Sequence, residues 1–404
     1  MSNSNLCTHT ETHSVPNCAV CSKLKALDGN IAETRRAMED AFEQRSVYLQ
    51  VVNRACDPIQ RLPAEVASSI FVLCLSCLPS LDMVDVTLET VQNNIALQAM
   101  QFLLGSVCRH WRKVVWSTPD LWNILWLQIS DRTTVTHSQM VADWLRRSGQ
   151  LPLYISVFSP RSSTPALKPA RVSTHNDIID TLCHYTDRMK VLHLSLPSPL
   201  LARFTNNRNL FASSNRILEQ LFIELRQSDL CPLLFPFDLG GDPCLTHLSI
   251  RRINRRAINI RWDNLTFLEA PGLFNYDALA ILQLAPKLQV FNFSIVYDAR
   301  DPTELPQVTH HSLRMLCLTS DQTYQFLDFI TCPVMSELSY YCDLTSQTSR
   351  SLADFLRRSA CLLEDLALGG RPVDVQDVLT VLCVTFANPF IFGRTLWYSR
   401  SLLP

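Results

Sequence analysis

Apolar side chains recur along this chain at three different periods, and each period predicts a different kind of element. In the first, Leu24, Leu27, Ile31, Thr34, Met38, Ala41, Arg45, Tyr48 and Val52 follow one another in alternating steps of three and four residues. Apolar residues fill all of those positions but Thr34 and Arg45. Residues 23–54 therefore predict one amphipathic helix with a heptad seam and a capacity for weak self-association. Cys56-Asp57-Pro58 ends it, because the residue before a proline is pushed out of the helical region.

The second pattern, over about residues 59–123, is a set of short helical stripes. Pro63 suits a first helical position, and Val66, Ile70 and Leu73 follow at helical spacing before Pro79. Residues 80–93 predict a loop or a short helix. Ile95, Ala99 and Phe102 mark a second helix with Gly105 as its breaker. Val107, Trp111 and Val114 mark a third, closed by Ser117-Thr118-Pro119-Asp120. Three short helices so closely joined can share one core.

The third pattern is a repeat. L-x-x-L-x-L recurs as Met189-Leu192-Leu194, Leu218-Leu221-Ile223, Leu245-Leu248-Ile250 and Leu265-Leu268-Ala270, then as Leu288-Phe291-Phe293, Leu313-Leu316-Leu318, Met335-Leu338-Tyr340 and Leu363-Leu366-Leu368. Successive starts lie 20 to 29 residues apart, the period of leucine-rich repeats. Helical stripes fill several gaps, at Ile178 to Leu182, Leu279 to Leu284, Phe326 to Ile330, Leu352 to Phe355 and Val375 to Leu382. Strand and helix alternating at this period build a curved parallel sheet with helices outside. An earlier unit starts it, with strands at Leu125-Leu127-Ile129 and Leu153-Ile155-Val157 around a helix over Val141 and Leu145. The position after each strand, Asn or Cys in regular repeats, here holds residues such as Pro197, Ile253 and Leu273, which predicts an irregular horseshoe. Alternate strand residues, among them Lys190, His193, Thr246, His247, Ser249, Gln289, Asn292, Arg314 and Cys317, would face the concave side.

Together the patterns give an α+β chain. A flexible Cys/His-containing tail covers residues 1–22, the amphipathic helix 23–54 and a small helical unit 55–123. An irregular α/β leucine-rich-repeat solenoid covers 124–386, and an irregular tail 387–404.

Composition narrows the function. The 404 residues are 47 % hydrophobic and only 18 % charged, enough for a sizeable core and too little charge for a disordered protein. A net charge of −1 supplies no field toward nucleic acid or an acidic membrane, and it predicts poor solubility outside a complex. Nine glycines argue against glycine-loop nucleotide sites. The polar start MSNSNLCTHTETHSVPN has no apolar signal region, and the longest apolar runs are too short to span a bilayer. The 15 cysteines sit mostly singly in apolar runs, such as Cys74, Cys183 and Cys317, where thiols act as small hydrophobes. A cytoplasmic or nuclear protein without disulfides is the expectation.

The helical unit resembles an F-box. Ile59-Gln60-Arg61-Leu62-Pro63-Ala64-Glu65-Val66, with Ile70-Phe71 following, matches the family's leucine-proline-x-glutamate opening. Val107-Cys108-Arg109-His110-Trp111-Arg112 matches its valine-cysteine-x-x-tryptophan-arginine close. Ser117 to Trp122, Trp144 to Leu153 and Phe355 to Cys361 are similar to segments of fungal, basidiomycete-type F-box proteins with irregular leucine-rich repeats. A longer apolar insertion around residues 79–94 departs from the pattern. The resemblance implies a substrate-receptor subunit of an SCF-type ubiquitin ligase. Its F-box would dock on the Skp-family adaptor through Leu62, Pro63, Val66, Ile70, Val107, Cys108 and Trp111, with Trp111 more core than contact. Its repeats would hold an unknown substrate protein. The alternative is a leucine-rich-repeat interaction scaffold without a ligase link.

Other chemistry is sparse. Arg251, Arg252, Arg255 and Arg256, with Arg261 close by, form either a solvated turn or a site for an acidic or phosphorylated segment, since guanidinium grips phosphate with paired hydrogen bonds. Nucleic acid would need a wider basic face with stacking aromatics. Cys7, His9, His13, Cys18 and Cys21 are zinc-ligand types, but one C-x-x-C in a polar tail with a second pair at non-standard spacing reads as a flexible segment, and neither metal nor cofactor is expected. The chain holds no G-x-S-x-G, H-E-x-x-H, phosphate-cradling or kinase signature, so no enzymatic activity is expected.

Overall fold

The computed structural model describes residues 19–56, 58–75, 98–130, 133–159, 169–206, 217–225, 237–238, 244–253, 255–295, 305–319, 326–342, 346–369 and 396–399. Their chain is mixed helix and strand built around one large parallel sheet. Helix α1 (Ala19–Cys56) comes first and begins four residues earlier than the heptad pattern predicts. A 3-10 turn over Pro58–Arg61 leads into α2 (Ala64–Leu75), followed by α3 (Met100–Val107), α4 (Arg109–Ser117) and a second 3-10 turn over Pro119–Leu121.

Eleven strands then form a single sheet in strict chain order. They are β1 (Ile124–Gln128), β2 (Leu153–Phe158), β3 (Met189–Leu196), β4 (Gln220–Leu225), β5 (His247–Arg251), β6 (Phe267–Leu273), β7 (Val290–Ile295), β8 (Met315–Thr319), β9 (Glu337–Tyr341), β10 (Asp365–Gly369) and β11 (Leu396–Ser399). Helix α5 (Val135–Arg147) joins β1 to β2, α6 (Pro169–Cys183) precedes β3 and α7 (Ser198–Asn206) follows it. Helix α8 (Asn275–Leu284) lies between β6 and β7, and α9 (Ser346–Ser359) between β9 and β10.

The repeat positions explain the register. The middle leucine of each L-x-x-L-x-L pairs with its counterpart on the next strand, so one row runs Leu125–Ile155–Leu192–Leu221–Leu248–Leu268–Phe291–Leu316–Leu338–Leu366. Every member of that row is buried. The leading position of the motif lies just before the strand from Leu218 onward and is buried too, as at Leu245, Leu265, Leu288 and Leu313. Each such leucine removed from water contributes about 1.5–3 kcal/mol, so the repeat is a direct record of the core.

Three sequence expectations need correction here. Phe326 to Ile330 is not an α-helix but a 3-10 turn (Phe326–Phe329) running into a two-residue strand (Ile330–Thr331). With only a few residues available there, a tight turn suffices to bury Phe326 and Leu327. Residues 396–399, expected to be irregular, form β11 and add in parallel to β10, so the sheet extends past residue 386. The aromatic and branched residues of Leu396-Trp397-Tyr398 suit a strand, and an open sheet edge is a ready template. Cys74 is exposed rather than core. Residues 1–18, 79–94 and Val375 to Leu382, which carry the tail, insertion and last-stripe expectations, lie outside the described residues.

Where the Asn or Cys of regular repeats is missing, other groups fill the turns. Ile253 and Leu273 are buried at two of those positions. In the turn before β8 the imidazole of His310 ties the backbone. It is 3 % exposed, its Nδ1 accepts from the backbone N–H of Ser312 (3.4 Å) and Leu313 (3.1 Å), and its Nε2 donates to the carbonyl of Ala285 (3.0 Å). Only the neutral ring with its proton on Nε2 satisfies all three contacts. Burial lowers the His310 pKa below the ordinary histidine value, with the Ala285 hydrogen bond opposing and neighbouring His311 lowering it further. The unfolded chain therefore binds this proton more readily, and stability is lost as pH falls. We expect the urea midpoint to hold above neutrality and to drop as pH passes below about 6.5. The drop should be smaller in His310→Asn; an equal drop in both proteins would exclude His310 as its cause.

Candidate functional site

Two places carry the residues singled out in the sequence. The first is the helical unit. The carbonyl of Pro63 accepts from the N–H groups of Val66 and Ala67 (3.1 Å each), so Pro63 caps α2 and Glu65 sits in the positively polarised first turn. The buried face of α2 is Ala67 and Phe71, with Ile70 half-buried against the core and only Val66 and Leu73 of the predicted stripe turned away. Phe71 packs on Trp111 of α4 with ring centres 4.9 Å apart, and the Ser68 hydroxyl meets that of Thr118 at 2.8 Å. These contacts turn Val66 (44 % exposed) and Leu73 (67 %) outward.

The break between the second and third helices lies at Cys108, not at Gly105, and Val107 ends α3 rather than opening α4. Cys108 is extended (φ −156°, ψ 172°) and its Sγ accepts from the N–H of Trp111 at 3.4 Å, an N-cap. Gly105 is needed for space. A Cβ there would run into the Trp116 ring, and the carbonyl of Gly105 accepts from Arg112 Nε at 2.8 Å. Val107 is 55 % exposed and Leu103 59 %. Of the seven residues expected to meet an adaptor, Pro63, Val66 and Val107 are exposed, while Leu62, Ile70, Cys108 and Trp111 are half-buried.

The sequence reading missed what joins this unit to the sheet. Trp122 lies 4.7 Å from Trp144 of α5 and 5.3 Å from Trp116, Phe102 lies about 6 Å from all three, and the guanidinium of Arg147 covers Trp116 and Trp122 at 5.1 and 4.9 Å. Trp122 Nε1 donates to Val115 O (2.8 Å) and Trp144 Nε1 to Ile124 O (3.1 Å). The buried amide of Gln101 donates to Leu121 O at 2.9 Å, and Gln98 Oε1 accepts the edge N–H of Trp126 on β1 at 2.6 Å. The signal was present in composition: Trp111, Trp116, Trp122, Trp126 and Trp144 are five of the seven tryptophans.

The second place is the arginine turn after β5. Arg252 is exposed and left-handed (φ 61°), a conformation unfavourable for a side chain with a Cβ. Opposite it, β6 bulges between Pro271 and Leu273, where Gly272 takes φ 89° and donates its N–H to Ser294 Oγ at 2.8 Å. An open groove of about 480 Å3 lies between them, lined by Glu224, Arg251, Arg252, Ile253, Pro271 and Phe274.

The four arginines are not equivalent. Arg251 pairs with Glu269 at 2.6 Å, and the same carboxylate accepts from Ser249 Oγ at 2.8 Å. Arg255 lies 3.7 Å from the buried Asp277 and 5.9 Å over Trp262. Arg256 sits 5.4 Å over the Tyr276 ring and is exposed, and Arg252 makes no ion pair among the described residues. Arg261 pairs with Asp263 at 3.1 Å. The turn thus presents Arg252 and Arg256 outward, while Arg251 and Arg255 hold structure.

The strand positions expected to face a concave side are not all open to solvent. His193 and Ser249 are buried, because parallel neighbours at the same height cover them: Ser156 Oγ lies 3.0 Å from His193 Nδ1 and Phe222 lies edge-on at 4.0 Å. His247 is half-buried against Phe267, and burial lowers its pKa while Glu219 opposes. Burial pushes the Cys332 thiol up to about 12 and raises Cys361 and Cys317, so these three are poor nucleophiles at neutral pH.

Among the described residues no His, Cys, Asp and Glu group could hold a metal ion, and Cys7, His9, His13 and Cys18 lie outside them, as does the side chain of Cys21. No described helix is long and apolar enough to cross a membrane. No protein-family model, curated protein or solved structure matches the chain.

The two classes of arginine separate on mutation. Arg255→Ala, which withdraws the cation beside buried Asp277, is expected to lower unfolding free energy by about 1–3 kcal/mol. Arg252→Ala should stay within about 0.5 kcal/mol of the parent protein. Chemical denaturation of both checks this; equal effects would overturn the division.

Proposed function

We propose that the chain is a substrate-receptor subunit of an SCF-type ubiquitin ligase, with residues 55–123 acting as an F-box and the sheet as an irregular leucine-rich-repeat solenoid. The observation that carries this reading is which residues are left uncovered. Val66 and Val107, taken from the two ends of the F-box match, are apolar and exposed, whereas Ala67, Phe71, Val114 and Val115 fill the core. Exposed apolar side chains beside a packed core are what a partner surface requires. The chain-order parallel sheet with the repeated buried leucine supports the solenoid half.

In this reading the protein performs no bond chemistry. It docks on the Skp-family adaptor, holds a substrate protein through the sheet side, and raises the local concentration of that substrate beside an enzyme it does not contain. The groove lined by Arg252 is the place we assign to an acidic segment of the substrate.

Co-expression of the full chain with a Skp-family adaptor, followed by size-exclusion chromatography, is expected to yield a stoichiometric complex. Val66→Asp with Val107→Asp should abolish it while leaving the circular dichroism of the chain unchanged, because neither side chain is core. A folded parent chain that forms no complex would refute the ligase reading and leave a repeat scaffold. Arg252→Glu with Arg256→Glu should spare the adaptor.

A further inference from the structure

Among the described residues, helix α1 is the longest element, and it presents an open apolar seam. Its 38 residues make a rod about 57 Å long, and every described side chain on it is exposed. Those exposed side chains include Leu24, Leu27, Ile31, Met38, Tyr48 and Val52, all on one seam, at exposures from 46 % to 72 %. A lone helix gains little from its own hydrogen bonds and depends on packing of its apolar face. The seam spans just over four heptads, long enough for a coiled coil.

The flanking positions identify the occupant. With Leu24, Ile31, Met38, Arg45 and Val52 at the first seam position of each heptad, Lys23 precedes the seam and Asp28 follows it. In a parallel two-stranded coil the residue before the seam meets the partner's residue five places further on. Lys23 then faces Asp28 of a second copy, twice by symmetry. The same rule sets Ala37 against Phe42, which widens the apolar contact, and Gln44 against Leu49. Gly29, Arg36 and Glu43 fall on the opposite face, where Gly29 has only open space around it. An antiparallel pairing of this seam would set Lys23 and Asp28 against the partner's apolar end, beside Leu49 and Val51.

We infer that α1 is a parallel homodimerisation helix whose partner is α1 of a second copy of this chain. This inference does not rest on the adaptor reading, since it uses neither the helical unit nor the sheet. Thr34 and Arg45, the two polar residues on the seam, limit affinity, and the Arg45 cation favours one register.

The test is the mass of the full chain in solution, by light scattering or sedimentation over a range of concentrations. The parent protein should be a dimer, and Ile31→Asp a monomer with unchanged thermal unfolding of the sheet. Lys23→Glu should weaken dimerisation by about 2- to 10-fold, through two exposed charge pairs turned repulsive. Lys23→Glu with Asp28→Lys should restore it. A monomeric parent, a dimer indifferent to Ile31→Asp, or a charge reversal that the second reversal fails to rescue would each overturn the proposal.

Discussion

The molecule depends on one row of side chains. From Leu125 to Leu366 the same inward position on ten successive strands is apolar and buried, and each residue is paired in register with the next. A slip of one residue in any strand would turn that residue to the opposite face. The row fixes register, register fixes which residues face the helices, and the faces fix where the turns protrude. Both the bulge at Pro271 and the left-handed Arg252 occur beside the β5–β6 pair, where only three residues of each strand are paired. The groove is a consequence of that shortened pairing.

The sheet's first edge is managed differently from its interior. β1 has β2 on one side, and on the other its backbone is met by side chains: Gln98 takes the N–H of Trp126 and Trp144 gives its indole N–H to Ile124. Around that joint, Phe102, Trp116, Trp122 and Trp144 pack edge to face beneath Arg147. Rings of this size have few rotamers and large contact areas, so the helical unit is held firmly on the end of the sheet.

Most strands were legible because their signal is redundant. Leu245, Leu265, Leu288 and Leu313 each stand three residues before the central position of their unit, and a pattern that recurs eight times survives an odd residue such as Ala270. The helical unit was legible in outline and misread in detail. Gly105 resembles a helix breaker, but its reason is the Trp116 ring eleven residues later on the next helix, and no local rule contains that contact. Val66 and Leu73 have core spacing yet turn outward, while Ala67 and Phe71 are buried and Ile70 packs half-buried against the core, because helical periodicity identifies a stripe and not the neighbour it meets. The arginine turn was visible as composition. That Arg251 and Arg255 are occupied by Glu269 and Asp277 follows from residues 18 and 22 positions later, which only the fold brings near.

The order of strands in the sheet has a further meaning for the history of the chain. Each interior strand bonds only to the strand before it and the strand after it. Unlike a sheet whose neighbours come from distant parts of the sequence, this one shows no pairing between its first and last strands among the described residues. Adding or deleting a whole unit disturbs two interfaces and leaves the rest in register, so such a protein can change length by duplication without inventing a new fold. The same separability means that damage stays local: a unit can fray while its distant relatives in the row remain folded.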